Sequence, residues 1–188
     1  MSEDNNNPVF KLVMDKLQQI TPTVQSLMPD RSKTLVQAFI SGRLDYCNSL
    51  LYGMTDSLFQ CLQSVQNAAA RLITRTGRSE HITPVLRELH WLPIRHRVDF
   101  KLATFVYKTL HGRIPRYLSG DCQLIFDASR QLRSSDTFTF AVPRTRTRLD
   151  DRSFAVAGPQ IWNSLPADLH LVDNYARFRR LLKGHMFG

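Results

Sequence analysis

The side chains in this chain that are best suited to chemistry are its arginines and lysines. Residues 61–188 contain 20 basic and 10 acidic residues, whereas residues 1–60 contain five and six. Basic side chains at regular spacing bind nucleic-acid phosphates in contacts that are independent of base sequence and weakened by salt. The candidate nucleic-acid-binding residues form three groups: Arg71, Arg75 and Arg78; Arg97, Lys101 and Lys108; and Arg144, Arg146 and Arg148. A solvated helix surface explains the first two groups equally well.

The acidic residues and histidines form no recognisable catalytic pattern. Asp45 is a lone carboxylate beside Tyr46, and Asp150-Asp151 suits a helix cap, whereas a two-metal enzyme needs carboxylates that share its ions. The six histidines include no pair at i and i+4, and the sequence has no nucleophile elbow, phosphate loop or dinucleotide-binding motif. The sequence therefore predicts no catalytic activity, no cofactor or metal in this chain, and no small-molecule substrate.

The composition predicts a folded, basic protein. Hydrophobic residues make up 43% of the chain, the formal net charge is +9, and nucleic acid is the commonest acidic partner of such proteins. Cys47, Cys61 and Cys122 are too widely spaced for a metal knuckle, so reduced and mostly buried thiols are expected. The polar N-terminus does not look like a signal peptide, and no apolar run is long enough to cross a membrane. We therefore expect an intracellular protein, in the nucleus or the cytoplasm.

Hydrophobic periodicity predicts a helical hairpin that positions the first basic group. After a polar tail, a short helix over residues 9–20 is expected to break at Thr21-Pro22. A helix over residues 31–52 has an apolar stripe, leaves Asp45 on its polar face and ends at Gly53. The stripe consists of Val36, Ile40, Leu44, Cys47 and Leu51. A second helix over residues 57–76 follows a short link, and its apolar seam is Leu58, Leu62, Val65, Ala69 and Leu72.

The second and third basic groups are expected on different kinds of structure. Residues 93–111 form a predicted helix that ends at Gly112 and carries the second group, after a short helix that starts near Thr83. Residues 120–150 lack helical periodicity, although the alternation around Phe138 and Phe140 indicates a short strand. Core packing of these rings is favoured over base stacking, and Trp91 and Trp162 are assigned to the core. Further helices are predicted near residues 114–118, 153–162 and 173–187.

The predicted fold class is mainly α, a helical hairpin with further packed helices and a short Arg-rich extended or β-hairpin insert. Four segments are expected. They are an N-terminal tail and short helix over 1–29, a helical domain over 30–119, an Arg-rich extended linker over 120–150, and a C-terminal helical part over 151–188.

The amino-acid sequences of several segments are more distinctive than their hydrophobic periodicity. Residues 32–53 are SKTLVQAFISGRLDYCNSLLYG, residues 62–72 are LQSVQNAAARL, residues 81–93 are HITPVLRELHWLP and residues 162–166 are WNSLP. Together with Phe100-Lys101, Leu132-Arg133-Ser134, Val142-Pro143-Arg144 and residues 178–187, they closely resemble the C-terminal region of LINE-type (non-LTR) retrotransposon polyproteins of the jockey-like group. The resemblance extends in order from about residue 30 to residue 187, and residues 1–29 match weakly.

This resemblance implies a fragment that follows the palm of a reverse transcriptase, with a thumb-like domain over 30–119. The family synthesises DNA on an RNA template, and its catalytic aspartates belong to an upstream Tyr-x-Asp-Asp motif that this chain lacks. The divalent metal of the parent enzyme would be bound by those missing residues, so no catalytic residue can be transferred to this chain. The expected partner is RNA or an RNA–DNA duplex. The alternative hypothesis is a decayed or domesticated helical protein-interaction module without a nucleic-acid role.

Overall fold

The computed structural model describes residues 8–113, 124 and 139–188, and the fold is mainly helical, which confirms the predicted class. The chain divides into two compact units. The first unit contains the chain up to Asn48 together with Met54–Arg97, and the second contains Ser49–Gly53 together with Val98–Gly188. The four predicted segments stay predictions.

The first unit is built around a long central helix. Its elements are α1 (Pro8–Ser26), α2 (Pro29–Val36), a π-helical turn (Gln37–Ser41), α3 (Gly42–Asp45), α4 (Asp56–Thr74), α5 (Ile82–Glu88) and the first turn of α6 (Ile94–Leu110). Helix α4 packs against α1, α2 and α5. Leu62, Val65 and Ala69 of the predicted seam are buried, while Leu58 and Leu72 are only half-buried. The buried face also includes Phe59, Gln66, Ala70 and Ile73, so it is broader than a heptad seam.

The break predicted at Thr21-Pro22 is wrong, because α1 continues through Pro22. Val13, Leu17 and Val24 are buried on one side of this helix, so the apolar stripe extends past the proline. An interior proline costs roughly 3 kcal/mol, and burial of one valine returns about 1.5–3 kcal/mol. The hydroxyl of Thr21 also donates to the carbonyl of Leu17 at 2.7 Å.

The predicted helix over 31–52 is too long, because the α-helix ends at Asp45 and is followed only by a separate 3₁₀ turn (Asn48–Leu51). Val36, Ile40 and Leu44 are buried as predicted. Cys47 is exposed and has a left-handed backbone with φ 51°, so it is not part of the apolar stripe. The buried stripe therefore ends at Leu44, about two helical turns before the predicted end at Leu51.

Two glutamines of α4 hold the start of α6 in the first unit. Nε2 of the buried Gln66 donates to the carbonyl of Leu92 at 2.9 Å, and Oε1 of Gln63 accepts from the amide of Ile94 at 2.9 Å. Gln63 also donates to Oε1 of Gln66 at 2.9 Å. Because an amide side chain both donates and accepts, this pair satisfies backbone groups on either side of Pro93.

The second unit packs aromatic side chains between helices. It contains the remainder of α6, a 3₁₀ turn (Asp150–Arg152), α7 (Phe154–Asn163), α8 (Ala167–His170) and α9 (Tyr175–Phe187). Trp162, Phe178 and Tyr107 are almost completely buried, and the ring centroids of Tyr107 and Phe178 are 4.3 Å apart. The core position predicted for Trp162 is therefore confirmed, as it is for Trp91 in the first unit. Helix α6 ends before Gly112, whose φ is +63°, as predicted.

Residues 49–53 are held in the second unit by one arginine. The guanidinium of Arg152 donates to the carbonyl of Leu50 at 3.0 Å and to that of Tyr52 at 3.1 Å. Gly53 has φ +68°, and a Cβ atom there would lie 2.8 Å from Cγ of Arg152. Glycine is therefore required at this turn for both its backbone angle and its size.

The predicted extended insert is described only in part. Phe140 forms an isolated antiparallel bridge with Leu124, and within the described ranges no regular strand is present. The side chain of Asn163 also pairs with the backbone of Phe140. It accepts from the amide and donates to the carbonyl, both at 2.9 Å. Phe140 is buried 6.1 Å from the ring of Trp162, which confirms core packing for this ring. Phe138 and the helix predicted near residues 114–118 lie outside the described residues.

Candidate nucleic-acid interface

The first basic group lies at the C-terminal end of α4 and in the loop that follows. Helix α4 ends at Thr74, and Arg75 takes a left-handed conformation with φ 57° that reverses the chain. Arg71, Arg75 and Arg78 line one open groove of about 730 Å³, which we call the arginine groove. Its remaining lining residues are Gln25, Ser64, Ala68, Leu72 and Thr76. The structure therefore brings together all three members of the first predicted group.

Two of these arginines are already held by backbone carbonyl groups. Arg71 donates through Nε to the carbonyl of Gly77 at 3.3 Å and through a terminal nitrogen to that of Glu80 at 3.2 Å. Arg75 donates to the carbonyl of Gln25 at 3.2 Å. A guanidinium has five N–H donors, so these bonds leave others for a ligand. Arg78 is exposed in the loop.

The second predicted group does not form a single solvent-facing surface. In the first unit the side chain of Arg97 is only 12% exposed, and its guanidinium donates to Asp45 at 2.7 Å and to the carbonyl of Leu92 at 3.1 Å. Lys101 and Lys108 belong to the second unit and are half-buried. Their ammonium groups each lie 5.3 Å from a ring centroid, of Phe105 and Tyr175 respectively. These three side chains are engaged within the protein, and their role in binding stays a prediction.

The third group is the most open to solvent. Arg144, Arg146 and Arg148 are all exposed on an irregular segment of the second unit. The hydroxyl of Thr145 bonds to Asp151, and that of Thr147 accepts from the amide of Asp150 at 3.2 Å. These bonds attach the segment to the 3₁₀ turn. We call the three exposed arginines Arg144, Arg146 and Arg148 the basic arm.

Asp45 in the first unit and Asp151 in the second each have a side-chain partner within their own unit. Asp45 binds Arg97, as expected of a residue on the polar face, and Asp151 binds Thr145. Among the described residues, no cluster of three or more His, Cys, Asp or Glu side chains could hold a metal ion. In the same part of the chain, no helix has the length and apolarity that a membrane crossing requires.

Two features were missed by the sequence analysis. Leu72 lines the arginine groove instead of lying fully in the core, and Gln25 reaches the groove from α1. Gln25 accepts a hydrogen bond from Arg75, 50 positions away, so local spacing carries no signal of its place in the groove. The side chains of Phe39 and Tyr46 are 43% and 81% exposed. Comparison of the chain with protein-family models, with curated proteins and with solved structures finds no match.

Proposed function

We propose that this chain is a non-catalytic fragment resembling the post-palm region of a non-LTR reverse transcriptase, and that it binds RNA or RNA–DNA backbones without sequence preference. The observation that carries the proposal is the convergence of Arg71, Arg75 and Arg78 on one groove. Three guanidinium groups around an open groove form an electrostatic surface that favours phosphates. The exposed arm of Arg144, Arg146 and Arg148 adds a second basic surface.

The test is a filter-binding titration of the purified chain with RNA–DNA duplexes of two unrelated sequences. We expect equal affinities for both sequences, because phosphate contacts do not read bases. We also expect a steep loss of affinity between about 50 mM and about 200 mM salt, because each phosphate contact releases counterions. A shallow salt dependence or a strong preference for one sequence would contradict the proposal.

A protein-interaction module is the second candidate, and one observation favours it. Phe39 lies on the π turn, Tyr46 directly follows α3 with an extended backbone, and both side chains are exposed. Exposed aromatic side chains are typical of protein contact surfaces. This hypothesis predicts that the chain binds no duplex at low salt, and that a hydrophobic dye which binds the wild-type chain is released by Phe39→Ser with Tyr46→Ser. Salt-sensitive duplex binding together with no dye binding would contradict it.

A further inference from the structure

The arginine groove combines two kinds of surface that a phosphate site alone does not need. Ala68 and Leu72, both half-buried, supply apolar surface from α4, beside the hydroxyl groups of Ser64 and Thr76. The three arginines supply positive charge in the same groove. A ligand that fills this groove needs an apolar part next to an anionic part.

Two of the three arginines in the groove are positioned before any ligand binds. The hydrogen bonds of Arg71 to the carbonyls of Gly77 and Glu80 restrict its guanidinium plane, and the bond to the Gln25 carbonyl restricts that of Arg75. Binding therefore immobilises fewer side-chain torsions than it would at free arginines. Guanidinium planes stack on nucleobases as well as binding phosphates.

A duplex and a single strand present different surfaces to such a groove. In a duplex the base faces are stacked inside, so the outer surface offers mainly phosphates and sugars. A single strand exposes base faces, which stack or pack on side chains while the backbone follows basic residues. Only the single strand offers both a flat apolar group and a phosphate at this scale.

We infer that the arginine groove takes a single-stranded segment of nucleic acid, with a base against Ala68 and Leu72 and the adjoining phosphates at Arg75 and Arg78. This inference rests on the proposed function and specifies its ligand at this site. A duplex places phosphates at the groove but no base face, whereas a single strand gains the base contact in addition.

The test measures fluorescence anisotropy of the full chain with three labelled probes at one low salt concentration. The probes are a thymidine single strand of about 12 nucleotides, which is within known site sizes, an abasic strand with the same number of phosphates, and a blunt duplex of that length. We expect the single strand to bind at least about fivefold more tightly than the abasic strand and the duplex, because base contacts add to phosphate contacts. An RNA strand of uridines is expected to behave like the DNA strand, since the inference relies on base and phosphate alone.

Two charge-matched variants localise the effect. Arg78→Ala removes an exposed charge that lines the groove, and Arg31→Ala removes an exposed charge on α2 that does not line it. Arg78→Ala is expected to weaken binding of the single strand and of the duplex, because both place phosphates at Arg78, whereas Arg31→Ala affects both only slightly. Thermal unfolding by circular dichroism checks that both variants fold.

The outcomes separate this inference from the proposed function. Equal binding of the single strand and the abasic strand, or duplex binding as tight as single-strand binding, overturns the inference and leaves the proposed function standing. Equal effects of the two variants on the single strand also overturn the inference. Failure of all probes to bind at low salt overturns both.

Discussion

At the scale of single residues, Cys47 carries backbone strain without a visible benefit. Its φ of 51° lies in the left-handed region, and its side chain is exposed. A non-glycine residue pays roughly 1–2 kcal/mol for this conformation. We therefore expect Cys47→Gly to raise the free energy of unfolding by about 1 kcal/mol, measured by guanidinium denaturation under reducing conditions. Cys47→Val is the matched control and is expected to lower it, and a glycine variant less stable than the wild type would contradict this account.

Tyr52 gives the second unit a dependence on alkaline pH. Burial, and secondarily the negative charges of Asp99 and Asp151, raise the pKa of its phenol above the ordinary value of 10.0. The folded protein holds this proton more tightly than the unfolded chain, so the stabilisation is complete below about pH 10 and is lost as pH rises through the folded pKa. Tyr52→Phe is expected to flatten the decline of the unfolding free energy above about pH 10.

The alkaline decline that remains in the Tyr52→Phe variant serves as the control, because a second tyrosine contributes to it. Burial also raises the pKa of Tyr107, with a further rise from Asp173 and an opposing effect of Arg113. The Tyr52→Phe variant therefore retains part of the alkaline decline. It also loses the hydrogen bond from the phenol to Gln160 (3.2 Å), which lowers stability at neutral pH by under about 1 kcal/mol. An unchanged alkaline slope would show that Tyr52 does not contribute.

At the scale of elements, the junction between α4 and α6 depends on Gln66. Its side chain is buried and bonds to the carbonyl of Leu92. Gln66→Leu keeps the volume but removes one of the two donors to the Leu92 carbonyl, which keeps its bond from Arg97, and it removes an acceptor of Gln63. We expect a loss of about 1 kcal/mol in the free energy of unfolding, measured in urea. Gln60→Leu, at an exposed position of the same helix, is expected to change it by under about 0.5 kcal/mol, and equal effects of the two variants would contradict this role.

The elements that follow from local spacing were predictable, and those that depend on distant partners were not. Helical spacing is visible in Val36, Ile40 and Leu44, and the ends of α6 are marked by Pro93 and Gly112. Each of these signals lies within one continuous stretch of sequence. The end of the helix at Asp45 has no such signal, because the apolar spacing continues to Leu51. Residues 50 and 52 are instead bound by Arg152, about a hundred positions later in the chain.

In the candidate site, too, features set by local spacing were predictable and features set by distant partners were not. Arg71 and Arg75 lie four residues apart at the C-terminal end of α4, so their proximity was predictable from a helical pattern. The engagement of Arg97 with Asp45, 52 positions away, was not, because a sequence alone does not reveal ion pairs between elements. The spacing of the basic residues thus predicted the arginines that line the groove. It overestimated how many basic residues of α6 are free to bind a ligand.

At the scale of the whole molecule, the charge is unevenly distributed along the chain. The net charge of +9 comes entirely from residues after position 60, because the first 60 residues contain one more acid than base. A general attraction to any polyanion follows from net charge alone, whereas a defined interface requires that particular residues carry the salt dependence. These two explanations differ in what a charge-matched pair of variants would do.

The most direct test is the slope of the logarithm of the duplex binding constant against the logarithm of salt concentration. It is measured for the wild type, for Arg75→Gln with Arg78→Gln in the arginine groove, and for Arg31→Gln with Arg43→Gln at exposed positions outside it. Each lost phosphate contact lowers the slope by about 1, so the groove variant is expected to lose about 2 and the control close to none. Equal slopes for the two variants, or a wild-type slope near zero, would contradict binding through this groove.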